Sequence, residues 1–370
     1  MKKTVKTLLL LCVLAMFALT ACGGGDNKNT EEKNTQSTQN TGVNSESTEG
    51  NDTEDSQVNA EATGNINLLT GLNTLTDEAV GKRPVAVMFN NLPKAMPQYG
   101  ISAADVVFEI TVEGGLSRMM ALYGDYTQVP KSCSIRSCRK YFPELAKGFD
   151  AVYVCSGMSN DVRAYVDTLG LTMYVGDDAT GGLFGRDQAR RDAGYSLEHT
   201  MYFDGTGLPA AMANRGERTD IQESKKDTAF KFADQTVVPT GGACNSVTVD
   251  FGALTATLNY DAASNTYLKQ LNGKDQKDGV TGEQLAFTNV IIMETKVGQD
   301  VNGKDRTINW HGGKDAVAYY ISNGAMQQIY WVKDSIDSRI IFYDMNGNEL
   351  AINTGKTYIA INFTGKTTLK

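Results

Sequence analysis

The sequence has few of the residues that usually build metal and redox sites. Among its 370 residues there are only two histidines, His199 and His311. The spacings CxxC and HxxxH, which commonly hold zinc, do not occur. We therefore predict neither a metal site nor a bound cofactor.

An excess of basic residues is also missing. The chain has 43 acidic and 35 basic residues, with a formal net charge of −8. Nucleic acids and anionic lipid surfaces are usually bound by a broad basic surface. This composition predicts no nucleic-acid partner, and an acidic ligand would have to be bound by a local basic patch.

Apolar runs long enough to cross a membrane are absent from the sequence after its first 20 residues. At the start of the chain, three lysines precede a short apolar run over residues 7–19, and small residues follow it. This order is typical of a secretory signal peptide. We therefore predict a signal peptide over residues 1–21 and a mature chain that begins at Cys22.

The segment Leu19-Thr20-Ala21-Cys22 resembles a bacterial lipobox. The resemblance implies that Cys22 is diacylated through its sulfur and holds the protein on the outer face of the cell membrane. An ordinary signal peptide followed by a chance cysteine is the alternative. After Cys22, the sequence up to residue 65 contains no aromatic residue and almost nothing large and apolar, which predicts a disordered linker over residues 22–65.

The remaining cysteines do not form a recognisable disulfide framework. Cys155 lies in a strand-like apolar run and is predicted to be a small buried hydrophobic residue. Cys133 and Cys138 could pair with each other in an exported protein, or both could remain free thiols. The sequence leaves these two alternatives open.

Residues 66–370 are more than one hydrophobic core usually holds, and their pattern changes near residue 228. Over residues 66–228, strand-like segments such as PVAVMFN and DAVYVCSG alternate with helix-like ones such as SNDVRAYVDTLG, which predicts an α/β domain. Over residues 229–370 the helical period disappears and short strand-like segments follow closely, which predicts an all-β domain, either a sandwich or an open barrel.

A hairpin is predicted around Gly114-Gly115, taken as a two-residue turn. That register pairs Thr111 with Arg118 and puts Glu109 and Glu113 on the same face of the sheet as the arginine. The arrangement predicts an ion network centred on Arg118, or alternatively a binding surface.

A second basic cluster lies in KSCSIRSCRKY, where Arg136, Arg139 and Lys140 fall in the first turns of a predicted helix. Free N–H groups and the dipole at a helix N-terminus attract anions, so the cluster predicts a site for phosphate, carboxylate or an acidic polymer. The alternative is a set of solvated basic residues, with Lys140 paired to Glu144.

Two further sequence patterns are found in the active sites of enzymes. Ser137 and Lys140 have the spacing of the SxxK motif, in which the lysine activates the serine of penicillin-binding enzymes. The KTG motif that accompanies SxxK in those enzymes is missing from this sequence. Glu198-His199 follows a segment that contains Arg186, and a histidine beside a glutamate can transfer protons or bind a ligand. A hydrogen-bonded structural histidine is the alternative.

Four segments carry a family resemblance: LLTGL, RPVAVMFNNLPKAMPQYGISAADVVFEITVEGGLSRMMALY, SIRSCRKYFPELAKGFDAVYVCSG and SLEHTMYF. In this order they resemble the YerB-like lipoproteins of Gram-positive bacteria, a family whose function is not established. The resemblance runs from Asn67 to the C-terminus and implies a two-domain, lipid-anchored envelope protein without assigned catalytic residues. Family members often read GPVRSAR here, so Arg136, Ser137 and Arg139 match, whereas the neighbouring cysteines do not.

We therefore predict a membrane-anchored extracellular lipoprotein, non-enzymatic in role, that binds an anionic cell-wall polymer or an envelope protein. The predicted binding residues are Arg118, Arg136, Arg139, Arg186, Glu109, Glu113, Glu198 and His199. The alternative is an envelope enzyme acting on phosphorylated or glycan substrates, by analogy with LytR-type phosphotransferases or as a hydrolase. In that case the arginines hold charge while Glu198 or His199 moves protons.

Overall fold

A computed structural model of the chain describes residues 64–176, 178, 180–227, 229–301 and 303–370. The predicted signal peptide, Cys22 and nearly all of the predicted linker lie outside this part. None of the helices in the described part is long and apolar enough to span a membrane. Most of its regular structure is β-strand, and its helices are few.

The first half of the described chain contains strands and all of its α-helices, each of which is short. Its elements are β1 (Val85–Asn90), β2 (Val106–Thr111), β3 (Ser117–Tyr123), β4 (Lys131–Cys133), α1 (Tyr141–Gly148), β5 (Val152–Cys155), α2 (Asn160–Asp167), β6 (Met173–Val175), β7 (Phe184–Arg186), α3 (Gln188–Asp192), β8 (Met201–Asp204) and α4 (Leu208–Asn214). Short 3-10 turns lie at Asp77–Ala79, Pro93–Ala95, Ile101–Ala103, Glu113–Gly115, Leu197–His199, Gly205–Gly207 and Glu223–Lys225.

From Lys231 onward, the regular elements of the described chain are strands. They are β9 (Lys231–Phe232), β10 (Gly242–Ala243), β11 (Ser246–Asp250), β12 (Thr255–Asp261), β13 (Thr266–Leu271), β14 (Lys274–Asp275), β15 (Ala286–Phe287), β16 (Asn289–Thr295), β17 (Val297–Gln299), β18 (Arg306–Ile308), β19 (Gly313–Ser322), β20 (Ala325–Val332), β21 (Ile341–Asp344), β22 (Ala351–Ile352), β23 (Thr357–Phe363) and β24 (Thr367–Leu369).

One 11-stranded sheet contains strands from both halves of the chain, in the order β10-β20-β19-β16-β23-β2-β3-β1-β5-β6, with β21 paired to β20. Strand β23, close to the C-terminus, pairs in parallel with β2 on one side and β16 on the other. The two halves therefore share a sheet and are not joined by a linker alone. The domain boundary predicted at residues 228/229 stays a prediction.

The large sheet is covered on both faces. Val87 and Phe89 of β1 pack in one apolar cluster with Val247 of a 6-stranded sheet, in the order β14-β13-β12-β11-β24 with β15 on β13. The alternate residue Met88 packs on the opposite face with Phe142 of α1. A strand buried on both faces must be apolar at successive positions, which explains the uninterrupted run at β1.

The α/β character of the first half is limited to a few elements. Strands β1, β5 and β6 are parallel, and α2 connects the last two. The hydroxyl of Ser159 accepts a hydrogen bond from the backbone of Val162 and caps α2, while Val162 and Val166 are buried on one helix face. The remaining strands of this half are antiparallel to a neighbour or belong to a small sheet, β4-β8-β7.

The predicted register of the β2–β3 hairpin is wrong by one residue. Glu113–Gly115 forms a three-residue turn, closed by a 2.8 Å hydrogen bond from Val112 N to Leu116 O. Thr111 therefore pairs with Ser117, and Arg118 pairs with Ile110. Because side chains alternate along a strand, the shift places Arg118 on the opposite face from Glu109.

Candidate functional site

The carboxyl ends of parallel strands meet at one edge of the large sheet. Strands β1, β2, β5, β6, β16 and β23 share one direction, whereas β3 is antiparallel to them and begins at this edge. The loop over residues 134–140 crosses here, held by 3.0 Å hydrogen bonds from Arg136 N to Met88 O and from Ser156 N to Arg136 O. In open sheets, ligands usually bind outside the carboxyl ends of parallel strands.

Three of the predicted arginines come together at this edge. We call Arg118, Arg136 and Arg139, with the hydroxyls of Ser137 and Ser156, the carboxyl-edge site. The two hydroxyl oxygens are 3.4 Å apart. Arg118 contacts the backbone of Ser137, which lies in the chain between Arg136 and Arg139, so the three arginines are neighbours.

Arg118 is the least neutralised of the three. Its Nη1 donates a 2.5 Å hydrogen bond to the carbonyl oxygen of Ser137, and it forms no ion pair with a carboxylate in the described part of the chain. Burial, together with the charges of Arg139 and Arg136, lowers the pKa of Arg118 to about 10. Glu113 is near enough to attract Arg118 but is bound to Arg139, so this half-buried positive charge has no ion-pair partner among the described residues.

Arg139 is held by two carboxylates. Its Nη2 lies 2.8 Å from Glu113 Oε2, and its Nε lies 3.2 Å from Asp305 Oδ1. Burial alone would raise the pKa of Glu113, but hydrogen bonding and attraction to Arg139 lower it below its usual value. Asp305 belongs to the second half of the chain, so Arg139 connects the two halves.

Arg136 and His199 meet at Glu198. Arg136 Nη1 lies 2.9 Å from Glu198 Oε2, and His199 Nε2 lies 3.6 Å from Glu198 Oε1. The ring of His199 is buried, and its Nδ1 lies 3.0 Å from the amide nitrogen of Asn90. Because an amide nitrogen can only donate, Nδ1 accepts, and the ring hydrogen lies on Nε2. Burial lowers the pKa of His199, which favours the neutral ring.

Arg186 lies beside Glu198 and His199 and is not part of the carboxyl-edge site. It is exposed at the end of β7, where its Nη1 donates a 2.7 Å hydrogen bond to the carbonyl oxygen of Leu197. Arg186 therefore contacts the turn that presents Glu198 and His199.

Glu109 is not a partner of Arg118, which corrects the sequence prediction. It is fully buried, and its Oε2 lies 3.0 Å from Nζ of Lys269, which is also fully buried. Ser117 Oγ and Tyr358 OH donate hydrogen bonds of 2.6 and 2.8 Å to Glu109. Sequence reasoning missed Lys269, although its position between the inward-facing Tyr267 and Leu271 of β13 was a usable signal.

The helix predicted to carry the basic cluster begins later than expected. α1 starts at Tyr141, so Arg136 and Arg139 lie in the preceding loop and not in the first helical turns. Lys140 Nζ lies over the ring of Tyr165, 5.5 Å from its centre. The structure therefore gives no SxxK geometry at Ser137. Nor does it pair Lys140 with Glu144, which instead accepts hydrogen bonds from Tyr165 and Trp310.

The cysteines of the described chain are buried free thiols. Cys133, Cys138, Cys155 and Cys244 form no disulfide. Burial raises the pKa of Cys133 to about 12, which makes its reactive thiolate scarce. Within the described residues, no three His, Cys, Asp or Glu side chains are grouped so that they could hold a metal ion.

Comparisons with known proteins identify the family. Residues 69–218 match the model described as "Protein of unknown function (DUF3048) N-terminal domain", and residues 247–359 match the corresponding C-terminal domain. The YerB lipoprotein of Bacillus subtilis (strain 168) is 30% identical over 301 residues, which cover 79% of this chain and 85% of the relative. The chain belongs to the DUF3048 family.

The crystal structure of YerB from Bacillus subtilis supports the same relationship. It is 26% identical to this chain and superposes with a TM-score of 0.68, over 82% of this chain and 98% of that one. The predicted resemblance to YerB-like lipoproteins is thus confirmed. The DUF3048 models describe a two-domain family of unknown function, so they assign no role to any residue of the carboxyl-edge site.

Proposed function

We propose that this DUF3048 protein is a lipoprotein on the outer face of the cell membrane and binds an anionic cell-wall polymer through the carboxyl-edge site, without chemical turnover. The lipobox-like segment ending at Cys22 supports membrane attachment. The name of the YerB relative, a lipoprotein, is consistent with it. The protein acts, in this proposal, as a binding factor of the cell envelope.

The observation that carries the proposal is the unpaired charge of Arg118. A phosphate or carboxylate beside it would supply the missing counter-ion, and guanidinium groups bind both anions through paired hydrogen bonds. The hydroxyls of Ser137 and Ser156 lie next to each other in the same site and can donate further hydrogen bonds to the anion.

The other arginines have different roles in this proposal. The Arg136–Glu198 pair is partly exposed and therefore contributes little to stability, so it can open to let Arg136 bind the ligand. Arg139 is engaged by two carboxylates and mainly positions the loop. Arg186 is peripheral and serves as a matched control.

An enzymatic role has less support. His199 is almost fully buried and its Nδ1 accepts a hydrogen bond from Asn90, so the ring is poorly placed to remove a proton from a substrate. Ser137 has the hydroxyl of Ser156, and no basic side chain, as its hydrogen-bond neighbour. Neither arrangement activates a nucleophile.

The test is a binding assay with isolated phosphate-containing cell-wall polymer, using wild type, Arg118→Met and Arg186→Met. We expect Arg118→Met to weaken binding about tenfold or more, because a charge-assisted contact is lost, and Arg186→Met to have little effect. Circular dichroism checks that both variants fold. Equal binding by wild type and Arg118→Met, or no binding by wild type, would contradict the proposal.

Membrane attachment has a separate test. We expect Cys22→Ala to move the protein from the membrane fraction of cells to the soluble or secreted fraction, because the lipidated sulfur is lost. Immunoblotting of the fractions measures the change. Unchanged retention of the variant in membranes would rule out anchoring through Cys22.

A further inference from the structure

A cavity of about 210 Å³ lies away from the carboxyl-edge site, at the amino-end edge of the parallel strands. Pro84, just before β1, and Phe149, shortly before β5, line it. The first half of the chain contributes most of the wall, and the second half adds Arg339 and Ile341. Both DUF3048 domains thus build the cavity, and ligand sites are common where domains meet.

We propose that this cavity binds a small organic anion with an apolar body, such as a medium-chain or aromatic carboxylic acid. The apolar residues of the wall include Leu75, Ala79, Phe149 and Ile221, of which the last three are buried. An apolar cavity of about 150 Å³ in another protein holds a benzene molecule, so this one has room for one ring or a short acyl chain.

Two cations that line the cavity give it a preference for an anion. Lys225 Nζ donates a hydrogen bond to the backbone carbonyl of Asp337 and forms no ion pair within the described part of the chain. Among the described residues, Arg339 forms only a long ion-pair contact, 3.9 Å, with Glu349. Burial lowers the pKa of Lys225. The carboxylates of Asp337 and Asp150 attract Lys225, but they are paired with Lys147 at 2.8 Å and with Arg218 at 2.7 Å.

The carboxylates at this cavity do not replace the missing counter-ion. Asp227 and Asp334 are among its lining residues, but both are exposed, whereas Lys225 and Arg339 are half-buried. The third lining cation, Lys82, is already paired with Asp220 at 2.6 Å. A carboxylate ligand would therefore lie with its head between Lys225 and Arg339 and its apolar body against the inner wall.

The cavity also accounts for a motif that the carboxyl-edge site leaves unused. The first two residues of LLTGL, Leu68 and Leu69, line it together with Asn67. Leu69 is nearly fully buried in the apolar core, while Leu68 is half-buried. The segment thus connects the core to the cavity wall, and the inference is independent of the function proposed above.

The experiment is calorimetric titration of the mature chain, carrying Cys22→Ala to keep it soluble, with octanoate, 1-octanol and acetate. We expect octanoate to bind about tenfold more tightly than 1-octanol, which lacks the charge, and acetate, which lacks the apolar body, to bind weakest. Absence of octanoate binding, or equal binding of octanoate and octanol, would overturn the proposal.

Three variants locate the binding. We expect Lys225→Met to weaken octanoate binding about tenfold, while Lys226→Met, whose exposed lysine pairs with Glu223, serves as the matched control and leaves it unchanged. Ala79→Leu should fill the cavity and abolish binding. If Ala79→Leu does not fold, the two lysine variants still test the location of the site. Equal octanoate affinities for Lys225→Met and Lys226→Met would show that octanoate does not bind at Lys225.

Discussion

At the scale of single residues, the Glu109–Lys269 ion pair stands out because both of its charges are buried. Both side chains have zero exposure, and moving two charges out of water is costly unless their hydrogen bonds are satisfied. Ser117 and Tyr358 donate to the carboxylate, while Lys269 donates a 2.6 Å hydrogen bond to Gln276 Oε1. The pair therefore fixes how the two halves of the chain fit together.

We expect Lys269→Met to destabilise the fold by about 3–5 kcal/mol, because it leaves Glu109 buried without its counter-ion. The double variant Glu109→Gln/Lys269→Met should cost clearly less than the sum of the single variants. Urea unfolding measures the free energies. The exposed Lys366–Asp250 pair is the control, and Lys366→Met should change stability by less than about 1 kcal/mol. Additive costs at the buried pair would contradict the expectation.

His199 gives a prediction for pH dependence. Its pKa in the folded protein is lowered from 6.5, first by burial and then by neighbouring cations, against the attraction of Glu198. The unfolded state therefore binds more protons just below pH 6.5, so folding stability falls as the pH decreases through this window. In His311→Gln, His199 is the only histidine, and we expect NMR titration of its ring to give a midpoint below 6.5. A midpoint at or above 6.5 would refute this.

At the scale of elements, the turn between β2 and β3 decides which side chains share a face. Gly114 and Gly115 both have φ of +70°, a conformation that other residues rarely adopt. The sequence locates the turn correctly, but glycine pairs fit both two- and three-residue turns. Including Glu113 in the turn moves Arg118 to the other face and frees Glu109 to meet Lys269.

The two glycines should differ in their tolerance of alanine. A Cβ at Gly114 meets nothing within 4 Å, whereas a Cβ at Gly115 lies 2.9 Å from the backbone nitrogen of Ala253. We expect Gly114→Ala to cost about 1 kcal/mol from its backbone conformation alone, and Gly115→Ala to cost at least about 1 kcal/mol more. Thermal or urea unfolding compares them. Equal losses would show that the contact with residue 253 is unimportant.

At the scale of the whole molecule, strand β23 joins the two halves. It is inserted between β2 of the first half and β16 of the second, and it pairs in parallel with both. Without β23, both neighbours would present unpaired backbone groups at an open edge. The regions that match the DUF3048 N-terminal and C-terminal domains thus share one sheet.

We expect residues 64–228 produced alone to lack a cooperative thermal transition, because β2 loses its partner and Glu109 loses Lys269 and Tyr358. Residues 64–370 should unfold in one main transition. Differential scanning calorimetry and amide NMR dispersion measure both. A sharp transition with dispersed amide signals in the short fragment would show that the first half folds independently.

The sequence by itself determined the features that depend on neighbouring residues. The apolar run of β1, the helix-like segment that contains α2 and the place of the Gly114-Gly115 turn all follow from local patterns. The family resemblance and the arginines of the carboxyl-edge site were also visible in it. The alternation of apolar and polar residues along a strand, however, predicts only that a side chain is buried. It does not predict which residue that side chain contacts.

Only the tertiary structure decided which charges are neutralised. Glu109 meets Lys269, and Arg139 meets Asp305, across long stretches of sequence. These partners depend on strand pairing between distant segments and on a one-residue register in the hairpin, neither of which local pattern specifies. For the same reason, the sequence does not specify that Arg118, unlike Arg136 and Arg139, forms no ion pair among the described residues.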